Sequence, residues 1–338
     1  MSALRALRAA LRVYAVGVWV MFTQLLRRLR GGFRPPDLPP QPGRVAIVTG
    51  ATEGIGLSTA RQLARLGMRV VVAGHDELKG REVVSAIRAE SGSDESAHFL
   101  FLDLASLASV RGFVRDFRAS GLPLHVLVNN AGVMMEPRGE TQDGFERHLG
   151  VNFLGHFLLT RLLLPALRGS AHGGDVTRRQ GRGSRIVTVA SATHYVGEMD
   201  MADLQGRSAY SPHAAYAQSK LALVLFSLRL QRLLAARRDP VTANMADPGV
   251  VDTALYRHTW WGTRAVKRAL GWLLFKTPDE GAWTSVFAAA TPALEGVGGR
   301  YLRDEAEAEP LGAAQDPALQ WRLWAEASRL TGVAEDID

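Results

Sequence analysis

The stretch RVAIVTGATEGIG, residues 44 to 56, decides the fold. Its first half is a β-branched, apolar run of strand length, and its second half carries Gly50, Gly54 and Gly56 and leads into a helical pattern. Glycines so placed permit a tight turn, a close approach of backbone to a pyrophosphate, and close packing of helix on strand, with the phosphate charge at the helix N-terminus. A glycine-rich turn alone is a weak signal, so the rest of the chain has to supply the context.

Outward from that turn the pattern repeats. RVVVAG, AHFLFLDL, LHVLVNNAG, RIVTVAS and VTANMADPG read as short buried strands, with helical patterns of a dozen or more residues between successive members. This is the βαβ rhythm of an α/β fold, a single Rossmann-type doubly wound parallel sheet. GSAHGGDVTRRQGRGS, residues 169 to 184, is a polar loop before the fifth of these strands, and no internal repeat is visible. The spans predicted are an N-terminal segment (1–34), a proline-rich linker (35–42), a dinucleotide-binding domain (43–303) with a variable loop (250–278), and a C-terminal extension (304–338).

Composition narrows the class. The chain has 338 residues, 47% of them hydrophobic, and no cysteine, which excludes disulfides, thiolate metal sites and a cysteine nucleophile. No metal site is expected. The net charge of +7 sits in residues 1 to 34, which hold seven arginines and no acid, while the remaining 33 basic and 33 acidic residues cancel. A neutral body implies no basic stripe, so nucleic acid is not an expected partner.

Between Arg12 and Arg27 runs VYAVGVWVMFTQLL, fourteen uncharged residues, about 21 Å as a helix against a hydrocarbon core of about 30 Å. TQLLRRLRGG follows it without a small-x-small cleavage pattern, so an uncleaved membrane anchor with snorkelling arginines is favoured over a cleaved secretory signal. A helix packed on the domain is the plain alternative. Pro35, Pro36, Pro39, Pro40 and Pro42 then predict an extended spacer.

Near the start of an apolar helical pattern, SPHAAYAQSKLALVLFSLRLQRLLAA (211–236), Tyr216 and Lys220 stand four apart. An isolated pair of this kind is most often a packed tyrosine and a snorkelling lysine. The chemical alternative is a phenol whose pKa an ammonium one turn away lowers, making it a proton donor and acceptor.

Taken in order, TGATEGIG, the NNAG of Asn129 to Gly132, Asn152, Ser191 and Tyr216-x-x-x-Lys220 resemble the short-chain dehydrogenase/reductase family over about residues 43 to 303. The resemblance implies a catalytic set of Asn152, Ser191, Tyr216 and Lys220. Tyr216 would exchange the hydroxyl proton, Ser191 would hydrogen-bond the substrate oxygen, Lys220 would also bind the nicotinamide ribose, and Asn152 would orient a water relay to Lys220. Ser191 capping a turn and Asn152 linking helix to sheet are the structural alternatives, and the two roles of Asn152 can coexist. For the cofactor it implies Gly50, Thr52, Glu53, Gly54, Ile55 and Gly56 at the first turn, and His75 after the second strand. Asp103 and Leu104 would lie at the adenine, with Asp103 as a helix cap the alternative. Asn130, Ala131 and Gly132 would lie under the ribose, with Tyr216 and Lys220 beyond, and Pro248, Gly249 and Thr253 near the nicotinamide amide. Glu53 and Asp76 stand where NADP-selective relatives place basic residues, which favours NAD; His75 and Lys79 keep NADP open.

Residues 254 to 276, ALYRHTWWGTRAVKRALGWLLFK, combine Trp260, Trp261, Trp272, Leu273, Leu274 and Phe275 with Arg257, Arg264, Lys267, Arg268 and Lys276. That is the composition of a helix resting on anionic lipid, or of a lid closing an apolar pocket. SATHY, AYAQSKLALVLF and LGWLLFKTPDEGAWTS resemble the retinol dehydrogenase-like branch of the family. This implies a lipophilic alcohol or aldehyde substrate, and the whole-chain resemblance implies a long isoprenoid: polyprenol oxidised to polyprenal, dolichal reduced to dolichol, on the route to dolichol. A retinol or steroid substrate is the alternative. The expected setting is a membrane surface, at the endoplasmic reticulum or lipid droplets, with secretion the minor alternative and a homo-oligomer left open. A non-catalytic interaction protein on the same fold would lack the tyrosine or lysine, and a soluble reductase of small carbonyls would leave the apolar N-terminus unexplained. An independent anchor further predicts that removing residues 1–34 spares turnover of a short soluble prenol.

Overall fold

The computed structural model describes residues 2–172, 183–259 and 261–337. Eight strands form one sheet: β1 (Val45–Thr49), β2 (Arg69–Gly74), β3 (Ala97–Phe101), β4 (Val126–Asn129), β5 (Ser184–Val189), β6 (Val241–Asp247), β7 (Tyr301–Arg303) and β8 (Ala306–Ala308). Their order is β3-β2-β1-β4-β5-β6-β7-β8, parallel throughout except for the last pair. The first six are the strands read from sequence; β1, β2, β4, β5 and β6 are buried almost without a break, which explains their apolar runs, whereas β3, at the sheet edge, is only partly buried. β7 and β8 escaped because three residues show no periodicity.

The helices are α1 (Ser2–Leu29), α2 (Gly54–Arg65), α3 (Glu77–Ser91), α4 (Leu107–Ala119), α5 (Gly155–His172), α6 (Pro212–Ala236), α7 (Trp261–Leu274), α8 (Pro278–Ala290) and α9 (Pro317–Thr331). They cover both faces of the sheet, with one apolar core on each side. The strand order reverses between β1 and β4, so the crevice of a doubly wound sheet lies at their carboxyl ends.

Residues beyond 303 are integral to the fold. β8 pairs with β7, and Trp324 of α9 packs edge-on to Phe157 at 5.1 Å, joining the main core. The N-terminal segment is likewise docked. On α1 the buried residues Val13, Val20 and Gln24 face the body of the fold, whereas Leu4, Leu7, Leu11, Val18, Phe22 and Leu29 form an exposed stripe on the opposite side. Arg28 pairs with Glu280 at 2.8 Å, Arg27 with Asp304 at 3.0 Å, and Arg12 with Glu198. Three of the seven arginines expected to snorkel are thus paired with acids of the body, Arg27 and Arg28 in partly buried pairs and Arg12 in an exposed one. After α1, residues 32–41 have no helix or strand, as the prolines predict, yet Gln41 is buried and donates to the carbonyl of Ala290 at 3.3 Å. The spacer is laid against the fold.

Candidate active site

The glycine turn does what its sequence suggests. Gly50 and Gly54 take φ values of +63° and +57°, in the left-handed region. A Cβ on Gly56 would stand 2.2 Å from the carbonyl oxygen of Gly50, so the helix meets the strand at glycine contact. Helices α3, α4, α6, α8 and α9 each begin with a side chain that caps a first-turn N–H, but α2 does not: its N-cap, Glu53, makes no such bond. The uncapped N–H groups belong to residues that line a cavity, a polarity that suits a pyrophosphate.

That cavity, about 1050 Å³, brings together nearly all the residues singled out from sequence. Gly50, Thr52, Glu53, Gly54, Ile55 and Gly56 line it together with Gly74, His75, Asp76 and Lys79. Asp103 and Leu104 follow, then Asn130, Ala131 and Gly132, Ser191, Tyr216 and Lys220, and finally Pro248, Gly249 and Thr253. Asn152 is outside the lining and buried behind it. A dinucleotide fits this set in size and chemistry. At the end of the cavity expected to hold adenosine, Lys79 Nζ lies 3.6 Å from Glu53 and 3.9 Å from Asp76, so both acids named in favour of NAD share one cation. Asp103 accepts from the N–H of Ala105 at 2.9 Å, while the cap of α4 is Ser106.

At the other end Tyr216 and Lys220 lie on α6, whose N-terminus is fixed by Ser211 and Pro212. Both are buried. Lys220 Nζ donates to the carbonyl of Val189 at 3.1 Å and sits 6.0 Å from the Tyr216 ring centroid. Burial pushes the Tyr216 phenol up to about 12, against the hydroxyls of Ser191 and Thr193, which hydrogen-bond it and lower it. Burial also brings Lys220 down to about 8, against the pull of Asp247. The expectation that the Lys220 ammonium lowers the tyrosine is therefore corrected for the protein alone. Desolvation dominates both groups, and the hydroxyls are what favour the phenolate.

Ser191 caps the short helical turn 192–196, accepting from the N–H of Thr193 at 3.2 Å, and its hydroxyl also accepts from that of Thr193 at 2.9 Å. The structural alternative for Ser191 and a place beside Tyr216 coexist. Asn152 sits in a π-helical turn, Leu149–Leu154, ahead of α5. Its side chain accepts from the N–H of Val133 at 2.8 Å and donates to the carbonyl of Val133 at 3.0 Å and to Ser219 at 2.9 Å. Both amide hydrogens are spent on this link, which is the structural role weighed for Asn152.

Several participants were not anticipated. Thr49, at the end of β1, accepts from the N–H groups of Asn130 and Ala131 at 2.9 and 3.0 Å, while Asn130 donates to the Thr49 carbonyl at 2.8 Å. His156 lies 2.8 Å from both the Thr49 hydroxyl and the Asn152 carbonyl oxygen, and burial holds it down to about 4. A neutral ring there protonates Nδ1, since the carbonyl can only accept, and Nε2 takes the Thr49 proton. Asp247, buried in DPG, accepts from Tyr301 at 2.8 Å, Arg303 at 3.2 Å and the N–H of Gly249 at 3.0 Å. Thr193 stands two residues after Ser191 in SATHY, and Asp247 beside Pro248, so proximity to motif residues was the available signal.

The substrate end was the least anticipated. Val13 of α1 packs in one apolar cluster with Met134, Met135 and Tyr216, flanked by Leu255 and Tyr256. Tyr14, Gly17, Val20 and Met21 line the same cavity. In the variable loop, Trp272 is 76% exposed and Leu270 is exposed, but Phe275 and Lys276 are buried, the lysine bonded to Asp304 at 2.6 Å. Phe275 stacks edge-on to Tyr256 at 5.4 Å. Trp260 lies outside the described residues, as do the side chains of Arg257, Trp261, Arg264 and Lys267 and most of the polar loop, 173–182.

A glycine-turn crevice leading to a buried Tyr–Lys pair at a topological switch point defines a Rossmann-type oxidoreductase. The chain belongs to the short chain dehydrogenase family, which it matches over residues 44–261. It is 77% identical over 332 residues to polyprenol dehydrogenase of Mus musculus, covering 98% of this chain and 97% of the relative. Identity to retinol dehydrogenase 11 of Homo sapiens is 41% over 298 residues, covering 87% and 88%. Among solved structures, an NAD(P)-dependent gluconate 5-dehydrogenase from Beutenbergia cavernae with bound NADP superposes with a TM-score of 0.60 at 29% identity, covering 78% of this chain and 96% of that one.

Proposed function

We propose that this protein is an NAD(P)-dependent alcohol dehydrogenase/reductase that interconverts polyprenol and polyprenal at a membrane surface, and that the same site reduces dolichal to dolichol. The observation that carries the reading is the junction at Tyr216: a dinucleotide-sized crevice on one side, and on the other an apolar chamber walled by Val13, Met134, Met135 and Tyr256. The 77% identity to a polyprenol dehydrogenase supports the isoprenoid over a smaller alcohol.

A bound nicotinamide supplies the hydride acceptor or donor. The protein supplies the rest. In the reductive direction the Tyr216 phenol, protonated through the neutral range, delivers its proton to the carbonyl oxygen, and the Ser191 and Thr193 hydroxyls hold the phenolate left behind. In the oxidative direction the base is the minor phenolate form of Tyr216, favoured by hydrogen bonding to Ser191 and Thr193, and it takes the carbinol proton and returns to the phenol. Lys220 keeps one N–H on Val189 and has others for a ribose hydroxyl, while Asn152 fixes the loop at Val133 beneath it. Lys79 between Glu53 and Asp76 supports NAD as the preferred cofactor with NADP also accepted: the acids suit two free ribose hydroxyls, and the lysine offers a partner for a 2′-phosphate.

Membrane contact is supported by the exposed apolar stripe of α1 and by Leu270 and Trp272 of α7. Leu4–Leu29 is long and apolar enough to cross a bilayer, but its other face is committed to the catalytic body through Val13, Val20 and Gln24. We therefore read α1 as lying in the interface. A membrane that stores such lipids, the endoplasmic reticulum or the surface of a lipid droplet, is the setting we assign.

The test offers long polyprenol in vesicles, retinol and a small alcohol to the full-length protein with NAD or NADP, and measures aldehyde. Polyprenal formed at the highest kcat/KM supports the reading. A preference for retinol would move the substrate, and turnover of the small alcohol alone would remove the lipid.

A further inference from the structure

The inner wall of the chamber contains a glycine that nothing in the fold requires. Gly17 lies one helical turn from Val13 and one from Met21, and all three line the cavity. Its backbone is not among the positive-φ positions, and a Cβ built on it meets nothing within 4 Å. Gly50 and Gly56 differ: a Cβ there would stand within 2.9 Å and 2.2 Å of neighbouring backbone. Glycine in a helix interior is less stable than alanine by about 1 kcal/mol. Neither backbone strain nor close packing explains the residue. What Gly17 does leave is open space, at mid-helix, in the wall of a cavity that Met134, Met135 and Tyr256 also line.

We propose that Gly17 is a specificity-determining residue: the gap it leaves in α1 is the passage by which the methyl-bearing tail of a prenyl substrate runs from Tyr216 out of the chamber toward the lipid-facing side of the helix. This rests on the lipid-alcohol reading of the site. A short prenol ends inside the chamber and does not use the gap, whereas a long one has to thread it. A side chain at 17 narrows the passage in proportion to its volume while leaving the glycine turn and the Tyr–Lys pair in place.

The experiment uses the full-length protein as Gly17→Ala, Gly17→Val, Gly17→Leu and Gly17→Phe. Each is assayed on a short water-soluble prenol and on a long polyprenol in vesicles, and each is titrated with NADH as a check on folding. The ratio of kcat/KM for the long over the short substrate falls stepwise with side-chain volume, by roughly tenfold or more at leucine, with NADH affinity retained. Alanine and valine add little volume and keep the series readable if phenylalanine disturbs folding. A ratio that stays constant through leucine, or equal losses on both substrates whatever the size of the side chain, overturns the inference and leaves the functional reading standing. A wild-type protein that turns over neither prenol removes the functional reading and the inference with it.

Discussion

Gln24 of the N-terminal helix closes on the backbone of Val250, accepting from its N–H at 2.8 Å and donating to its carbonyl at 3.0 Å, with a further bond to the carbonyl of Leu274 at 2.9 Å. Val250 follows Pro248 and Gly249, the turn expected at the nicotinamide end, so the N-terminal helix is a bracket on that turn and not a separate anchor. Gln24→Ala leaves the N–H of Val250 unpaired, at a cost of about 1–3 kcal/mol, while the Val250 carbonyl keeps the N–H of Lys276 at 2.9 Å. The expected result is a lower Tm together with weaker NADH binding; an unchanged NADH titration would detach the helix from the cofactor site.

Deleting residues 1–34 extends the same argument. An independent anchor predicts that turnover of a short soluble prenol survives the deletion. With Val13 packed in the Tyr216 cluster and Gln24 holding Val250, the structure predicts loss on short and long substrates alike. Rates of the truncated and full-length proteins on both substrates decide it, and a truncated protein active on the short prenol would restore the simple anchor.

Tyr216→Phe removes the transferable proton and little else, because the ring keeps its place in the apolar cluster. Turnover should fall by about 10²–10⁴-fold, with NADH affinity close to wild type. Substantial residual activity would assign the proton to another group.

Lys220 gives a pH signature. Burial holds it near 8 in the folded protein against an ordinary 10.5, so between these values the unfolded chain binds the extra proton. Stability of the cofactor-free protein therefore rises with pH across that window, while below it both states are protonated and the contribution is constant and unfavourable. Thermal unfolding from neutral to alkaline pH should show the rise in wild type and a smaller one in Lys220→Met. Parallel curves would mean that Lys220 titrates normally.

Gly54→Val should weaken cofactor binding. Position 54 combines φ +57° with Thr253 3.2 Å from a would-be Cβ, so a β-branched side chain strains the turn and crowds the crevice at once. Cofactor titration measures it, with the unaltered protein as reference.

What the sequence disclosed and what it hid follow from physics at particular residues. Strands β1, β2, β4, β5 and β6 were legible because strands buried on both faces are largely apolar, the edge strand β3 because its aromatic and aliphatic run AHFLF has strand length, and Gly50, Gly54 and Gly56 because the turn tolerates nothing larger at those angles and contacts. The docking of α1 was hidden because it is apolar on two faces: composition reports lipid affinity but not which face already has a partner. The influence of Lys220 on Tyr216 was misjudged because spacing fixes distance along a helix and says nothing about burial, which here governs both groups. Thr49 and His156 belong to a network closed by long-range contacts, invisible to any local pattern.

If α1 and the Tyr–Lys pair bound one chamber that takes the lipid, photochemical mapping will find the lipid against both. A long polyprenol analogue carrying a photoreactive group on its first isoprene units is bound to the NADH-loaded full-length protein in vesicles, irradiated, and the labelled residues are mapped. The account predicts adducts on α1 within residues 13–21 and on Met134, Met135 or Tyr256, competed away by unlabelled polyprenol. Competable labelling confined to residues outside that chamber, with none on α1, would contradict it.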